Sequence, residues 1–315
     1  MRVWRALEEV PGDLAPSVVT IGNFDGVHLG HRVVVRRARE VASRCGVERV
    51  TVVTFDPHPI AVLRPDHAPP TLSAIPDRLE LLADAGVDDA LVLPFDRELA
   101  SWSPQRFVER ILVESLHARA VVVGANFRFG NRAAGDVAFL REAGADHGFD
   151  VEGVELDGGP QVWSSTYVRQ CVAAGDVAGA AEALGRPFAV RGTVVSGDRR
   201  GRELGYPTAN VPIGTGAAPP DGVYAGRLRV LDDGPDAGVP HPAAISVGSN
   251  PTFAGERERR VEAYVLDRDD LELYGREVEV SFTAHVRGMT RFDGIDELLE
   301  AMASDVAATR RALGT

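Results

Sequence analysis

The sequence predicts two domains: an α/β domain on a doubly wound parallel sheet, then a small antiparallel β-barrel with a terminal helix. Three observations predict this. Up to about residue 184, apolar strand-like runs alternate with helical patterns. From Phe188 onward, short β-type runs take over, separated by turns rich in Gly, Pro and Asp. One long helical pattern, Ile295–Leu313, follows them. Gly185-Arg186-Pro187 breaks the pattern between the two textures, so domains of 1–185 and 186–315 are expected.

In the first part the expected strands are Val18–Ile21, Val50–Phe55, Ala90–Phe95, Ala120–Gly124 and Asp150–Val154. Helical patterns lie between them at Gly30–Arg44, Asp77–Ala85, Pro104–Leu116 and Asp136–Gly148. Strands spaced by helices of this length imply crossover connections and a parallel sheet. Such a sheet binds ligands at the carboxyl ends of its strands. An alanine-rich helix, Thr166–Leu184, follows. The barrel strands are expected at Phe188–Val195, Val223–Leu231, Ala243–Val247, Arg260–Leu266 and Glu277–Arg287, with surface loops at Pro212–Pro220 and Asp232–Pro242.

Composition narrows the chemistry. The 315 residues carry a net charge of −12, which argues against non-specific binding to nucleic acid or anionic membrane. An anionic substrate therefore needs local devices: helix N-termini, arginines or Mg²⁺. No apolar run reaches the ~20 residues of a bilayer span, and no secretory signal is visible, so a cytoplasmic enzyme is expected. Cys45 and Cys171 form no disulfide framework and no metal spacing. All 34 residues of the Lys+Arg total are arginine. A P-loop and a Schiff-base lysine are both excluded. So is the lysine-bearing loop of the class I aminoacyl-tRNA synthetases.

Four turns carry candidate chemistry in the first domain. Gly22-Asn23-Phe24-Asp25-Gly26-Val27-His28-Leu29-Gly30-His31 follows the first strand and opens a helix. A strand-to-helix turn presents backbone N–H groups and a helix N-terminus to phosphates. His28 and His31, three apart, point to one side of that helix start. The pattern suits nucleotidyl transfer at the α-phosphorus of ATP, where charge on phosphoryl oxygens must be stabilised. Asp25 either caps the helix or orients His28. Asp56-Pro57-His58-Pro59, after the second strand, makes a stiff turn with His58 as a substrate contact. Asn126-Phe127-Arg128-Phe129-Gly130 offers flat apolar faces and a phosphate fork at Arg128. Ser164-Ser165-Thr166, with Arg169, places hydroxyls and a cation at another helix start, suited to a triphosphate.

In the second domain, Gly201-Arg202-Glu203-Leu204-Gly205-Tyr206-Pro207-Thr208-Ala209-Asn210 joins a glycine-bearing loop to a hydroxyl and an amide oxygen. Those are hard donors that suit Mg²⁺ on nucleotide phosphates, although Asn210 also fits an ordinary turn. Glu262 shares a strand parity with Arg260, Tyr264 and Leu266. On the inner face of a barrel its carboxylate would be costly unless used; on the outer face it is merely solvated. The spacing leaves both open.

Together these motifs resemble the bacterial bifunctional riboflavin kinase/FAD synthetases, in order and from about Val18 to Leu313. The resemblance implies an N-terminal FMN adenylyltransferase making FAD and pyrophosphate from FMN and ATP. It implies a C-terminal riboflavin kinase, a six-stranded barrel making FMN from riboflavin and ATP with Mg²⁺. Carried onto this sequence, His28 and His31 lie at the ATP phosphates. Gly22, Phe24, Asp25, Gly26, Gly30, His58, Asn126, Arg128, Ser164, Ser165, Thr166 and Arg169 line the adenylyltransferase site. Gly201, Arg202, Gly205, Pro207, Thr208 and Asn210 bind kinase ATP, Thr208 and Asn210 as the Mg²⁺ pair. Glu262 is the kinase base. Tyr167, Val168 and Tyr206 stand where many members carry other residues. The competing expectations are a nucleotidyltransferase for another phosphorylated acceptor, fused to an unrelated β-domain, or a flavin-binding regulator without catalysis. The expected partners are small molecules.

Overall fold

The computed structural model describes residues 1–155, 163–196, 205–234, 236–249 and 259–315. The chain divides into two compact units, Met1–Ser164 and Ser165–Thr315.

The first unit is a six-stranded, wholly parallel sheet. Its strands are β1 (Arg2–Trp4), β2 (Ser17–Ile21), β3 (Val50–Asp56), β4 (Asp89–Pro94), β5 (Ala118–Gly124) and β6 (Asp150–Val154), in the spatial order β1-β4-β3-β2-β5-β6. β2 is buried at every residue, as a central strand covered on both faces requires. After β2 the chain winds to one side through β3 and β4, then crosses back to β5 and β6. The order reverses between β2 and β5, and the crevice outside their carboxyl ends is where such sheets bind ligands.

Helix α1 (Leu29–Cys45) buries Val34, Val35, Ala38, Val41 and Ala42 along one stripe and stops at Gly46 in the left-handed region. Short α2 (Pro59–Leu63) and α3 (Ile75–Asp84) follow β3. After β4 come α4 (Arg97–Ser101) and α5 (Pro104–Phe107), the latter continuing as a π-helical segment, Val108–Ser115. α6 (Val137–His147) precedes β6. The three-residue β1 was not expected: its apolar pattern is too short to read, and pairing with β4 creates it.

The second unit opens with α7 (Ser165–Ala174) and α8 (Val177–Leu184). The single helix expected over Thr166–Leu184 is two. Gly175 takes φ +76, and Asp176 caps the new start by accepting from the Gly179 N–H at 2.9 Å. Six antiparallel strands follow: β7 (Phe188–Thr193), β8 (Thr208–Pro212), β9 (Gly222–Val230), β10 (Pro240–Ser249), β11 (Arg259–Val265) and β12 (Glu277–Gly288), ordered β7-β12-β9-β10-β11-β8. The two sheet edges meet where the Val195 N–H donates to the Asn210 carbonyl at 2.9 Å. α9 (Ile295–Leu313) ends the unit.

β8 excludes the alternative of an ordinary turn at Thr208–Asn210 and makes the donor run part of a strand. Pairing with β11 overrides the weak strand propensity of Thr-Ala-Asn. Side chains in β11 alternate: Val261, Ala263 and Val265 are buried, whereas Arg260, Glu262 and Tyr264 are half-buried.

Candidate active sites

In the first unit the turn after β2 sits at the strand-order reversal. Three of its residues have positive φ: Phe24 (+50), Gly26 (+81) and Val27 (+39). For a β-branched residue such as Val27 this is a strained conformation, and strain of this kind gathers at functional sites. α1 is capped by His28, not Asp25: His28 Nδ1 accepts from the His31 N–H at 3.3 Å. In the neutral ring that bond leaves the proton on Nε2. The two imidazoles stack, with centroids 3.6 Å apart. His28 is buried and His31 half-buried, and the Phe24 ring packs against His31 at 5.0 Å.

His31 Nδ1 is buried and takes no hydrogen-bond partner among the described residues. Burial first, then the neighbouring His28 imidazole and the positive charge of Arg78, hold the His31 pKa well below the usual histidine value. The free site thus carries a neutral His31 at pH 7. Gly30 leaves no room for a side chain: a Cβ there would meet His28 Nδ1 and the Trp163 carbonyl, each at 3.0 Å.

Asp25 turns to the approach to α3. Its carboxylate accepts from the Leu72 N–H at 3.1 Å, the Ser73 N–H at 2.9 Å and Arg78 Nη2 at 3.4 Å. Neither Ser73 nor Arg78 was foreseen. His58 Nδ1 caps α2 by accepting from the Ile60 N–H, and His58 Nε2 lies 3.2 Å from the Asn23 side-chain amide. The second turn is thereby tied to the first. Thr54 Oγ1 adds a bond to the Asn23 carbonyl at 3.1 Å.

Across the crevice, after β5, Asn126 is exposed, and its Oδ1 lies over Gly124. Phe129 belongs to the core, packed on Phe107 and Phe139, and Phe127 stacks on it at 5.5 Å. So the expected pair of open aromatic faces reduces to half-buried Phe127. Arg128 pairs with Asp136 at 2.8 Å on the surface. Ser164 closes the first unit, while Ser165, Thr166 and Arg169 open α7 in the second.

In the second unit, strand register builds the site. Directly paired residues of an antiparallel sheet share a face. Asn210 pairs with Glu262, and Glu262 pairs with Ser246; Thr208 pairs with Tyr264 one step along. This row lies on the half-buried side of the sheet, opposite Val261 and Ala263. It lines a cavity of about 390 Å³ whose other walls include Tyr206, Tyr274, Arg287, Phe292, Met302 and Asp305. Glu262 is thus neither in the barrel core nor simply solvated.

The Asn210 side-chain nitrogen donates to the Thr208 carbonyl at 3.3 Å. Arg287 grips Asp305 of α9 bidentately at 2.7 and 2.8 Å, closing one wall. Tyr206 and Tyr264 meet edge-on at 5.0 Å, and burial first of all raises the Tyr264 pKa. The sequence did not single out Ser246 or Asp305, and it marked Arg287 only as a strand end and the start of a loop beside the site; strand parity points to Ser246, but no local pattern joins Arg287 to Asp305. Pro207 and Gly205 are placed beside β8, whereas Gly201 and Arg202 lie outside the described residues. Among the described residues no cluster of His, Cys, Asp and Glu forms a metal site, and no helix is long and apolar enough to cross a membrane.

Comparison with known proteins agrees with this layout. Two family models match in tandem: FAD synthetase over residues 11–166 and riboflavin kinase over residues 184–313. The bifunctional riboflavin kinase/FMN adenylyltransferase of Escherichia coli K12 is 39% identical over 299 residues, covering 94% of this chain and 93% of that protein. Its counterpart in Pseudomonas fluorescens is 38% identical over 313 residues, covering 98% and 97%. Among solved structures, one described as a macrolide-efflux protein from Streptococcus pneumoniae is 30% identical with a TM-score of 0.84, over 98% of each chain. That likeness shows that the fold extends across both units. The chain belongs to the bifunctional riboflavin kinase/FMN adenylyltransferase family, with its FAD synthetase part first and its riboflavin kinase part second.

Proposed function

We propose that this chain phosphorylates riboflavin to FMN in its second unit and adenylylates FMN to FAD in its first, using ATP for both. The observation that carries the adenylyl assignment is the stacked His28–His31 pair at the N-terminus of α1, at the reversal of strand order. A phosphate oxygen of FMN attacks the α-phosphorus of ATP, and pyrophosphate leaves. The nucleophile is already anionic, so the residues need only position it and stabilise phosphoryl oxygens. His28 donates from Nε2, and His31 stands stacked beside it at the same phosphates. Asn126 faces the same crevice from β5. The domain bounds we propose are 1–185 for the adenylyltransferase, which takes in Ser164, Ser165, Thr166 and Arg169 with their hydroxyls and cation, and 186–315 for the kinase.

For the kinase, the row Asn210–Glu262–Ser246 supports phosphoryl transfer. Glu262 takes the proton of the terminal ribityl hydroxyl as that oxygen attacks the γ-phosphorus; the bond from the γ-phosphorus to the bridging oxygen breaks, and ADP leaves. Thr208 and Asn210 fit Mg²⁺: with its nitrogen committed to the Thr208 carbonyl, Asn210 keeps its oxygen for a hard cation. Bound there, Mg²⁺ would neutralise charge on the β- and γ-phosphates. The reading makes ATP, riboflavin and FMN the partners and the cytoplasm the place of action.

The test is to incubate full-length variants with riboflavin, ATP and Mg²⁺ and separate the flavins. His28→Ala is expected to accumulate FMN without FAD. Glu262→Gln is expected to form no FMN from riboflavin yet still convert added FMN to FAD. Loss of both steps in either folded variant would refute the two-site assignment.

A further inference from the structure

The histidine turn is held from outside as well as from within. Phe24, Gly26 and Val27 all sit at positive φ, and within the turn a bond from the Val27 N–H to the Phe24 carbonyl at 3.0 Å closes the loop. Conformations of this kind persist only where surrounding structure over-determines them. Here the surroundings come from a segment 47 to 53 residues further along the chain.

The Ser73 hydroxyl accepts from the Gly26 N–H at 2.9 Å and lies 3.2 Å from Asp25 Oδ1, where it donates. The backbone N–H groups of Leu72 and Ser73 hold the same carboxylate. Arg78, on the first turns of α3, reaches back to Asp25 at 3.4 Å and to the Ser73 carbonyl at 3.0 Å. Asp25 and Arg78 side chains are only 2% and 5% exposed. A buried ion pair is a poor source of net stability, since desolvating both charges offsets most of their attraction. Burying one beside two histidines makes sense as a device for geometry.

We propose that Ser73 and Arg78 are positioning residues for adenylyl transfer: they clasp Asp25 and Gly26 and so fix the strained turn that sets His28 against His31. The clasp works on both features a phosphate needs. It fixes where the α1 N-terminus begins, because Val27 and the His28 cap follow directly from Gly26. It also places the Arg78 guanidinium near His31; His28 and Arg78 are the charged or titratable groups that act on that imidazole.

The inference rests on the adenylyl-transfer reading of the histidine pair, and the experiment separates the two. FMN-to-FAD conversion is measured in the full-length wild type, Ser73→Ala, Arg78→Gln and Arg78→Lys, with riboflavin phosphorylation followed in parallel. The His31 imidazole is titrated by NMR in each, which needs no activity. In Arg78→Gln, kcat for FAD formation is expected to fall about 10²-fold, the cost of roughly 1 Å of misplacement. KM values should change less than kcat. The His31 midpoint should rise, because a nearby positive charge has gone. Arg78→Lys should recover most of both effects. Ser73→Ala should lose about tenfold in kcat while keeping its charge pattern.

Wild-type kcat in Ser73→Ala or Arg78→Gln overturns the proposal. So does a lowered kcat in Arg78→Gln with an unmoved His31 midpoint and no rescue by lysine, since that marks a merely structural arginine. If Arg78→Gln does not fold, Ser73→Ala and Arg78→Lys decide: wild-type kcat in the first, or an Arg78→Lys as inactive as a His28→Ala chain, overturns it. A wild type that makes no FAD sinks the functional reading instead, and the His31 titrations still report on the clasp.

Discussion

Replacing Gly30 by alanine should separate stability from catalysis. Gly30 is the second residue of α1, where helical backbone suits alanine better than glycine by roughly 0.5–1 kcal/mol. The new Cβ, however, would stand 3.0 Å from His28 Nδ1, 3.1 Å from His28 Cε1 and 3.0 Å from the Trp163 carbonyl oxygen, while ordinary contact begins at 3.4 Å. The carbonyl belongs to the backbone and gives little. The start of α1 has to shift away from it, and the His28 ring has to yield as well, each by about 0.4 Å on the scale where packed atoms repel. It is the same ring that caps α1 and stacks on His31. Since about 1 Å of misplacement costs about 10²-fold, a shift of this size should cost FAD formation roughly tenfold.

The assay follows FMN and FAD by chromatography in one full-length preparation, with a thermal melt alongside. We expect FAD formation to drop about tenfold, riboflavin phosphorylation to hold, and the melting temperature to stay within about 2 °C of wild type, because the helix gain offsets the steric cost. A Gly30→Ala chain that makes FAD at the wild-type rate would refute the argument that His28 placement limits the reaction. Equal loss of both activities would refute the assignment of Gly30 to one site.

His31→Gln should flatten the acid side of the stability profile. With its folded pKa held below the unfolded value near 6.5, His31 leaves stability intact above that pH, and stability falls as pH drops below it, because the unfolded chain takes up a proton that the folded one refuses. Melts from about pH 8 to about pH 5.5 should fall less steeply in the variant than in wild type. Gly226→Ala should abolish the kinase: a Cβ there would lie 1.9 Å from the Ser281 carbonyl oxygen, at the close β9–β12 approach, and a backbone clash has no cheap escape. Circular dichroism should show the second unit unfolded; a folded, active variant would contradict the register. Asp305→Asn should cost about 1–3 kcal/mol by leaving Arg287 half-paired at the cavity wall. Chemical denaturation checks the stability, and riboflavin phosphorylation should weaken while FMN-to-FAD conversion stays.

The parts of each site that sit on one turn were legible in the sequence. Gly22–His31, Asp56–Pro59 and Asn126–Gly130 each follow a strand of a parallel sheet, and that sheet brings its carboxyl edges together. What escaped is what joins distant segments. Asp25 read as a helix cap or a partner for His28 because acidic residues at helix starts usually serve locally; its actual partners lie 47 to 53 residues on. A signal was available in α3: Arg78 shares an apolar stripe with Leu79 and Leu82, and an arginine on a buried stripe must have an anion to meet. Phe129 was misread because alternating Phe-Arg-Phe does not say which aromatic faces the core. In the barrel, the Thr208–Asn210 run was not read as a strand because its propensity is weak, and only β11 makes it one.

Glu262 shows why function was harder to place than fold. Its parity with Arg260 and Tyr264 was plain, but parity names a face without saying what covers it. Two layers decide that here. Val261, Ala263 and Val265 fill the barrel interior, which turns Glu262 outward. The 268–274 and 287–292 segments, with α9, then enclose that outer face into a cavity. A carboxylate at such a place keeps access to solvent for its charge and can still meet a ligand in partial seclusion, as the proton transfer proposed for Glu262 needs. A barrel interior would offer Glu262 the seclusion alone, and a bare outer face the solvent alone. On the proposed kinase reading, α9 and the Arg287–Asp305 clamp that holds it belong to the kinase site, although neither residue neighbours Glu262 in sequence or in strand pairing.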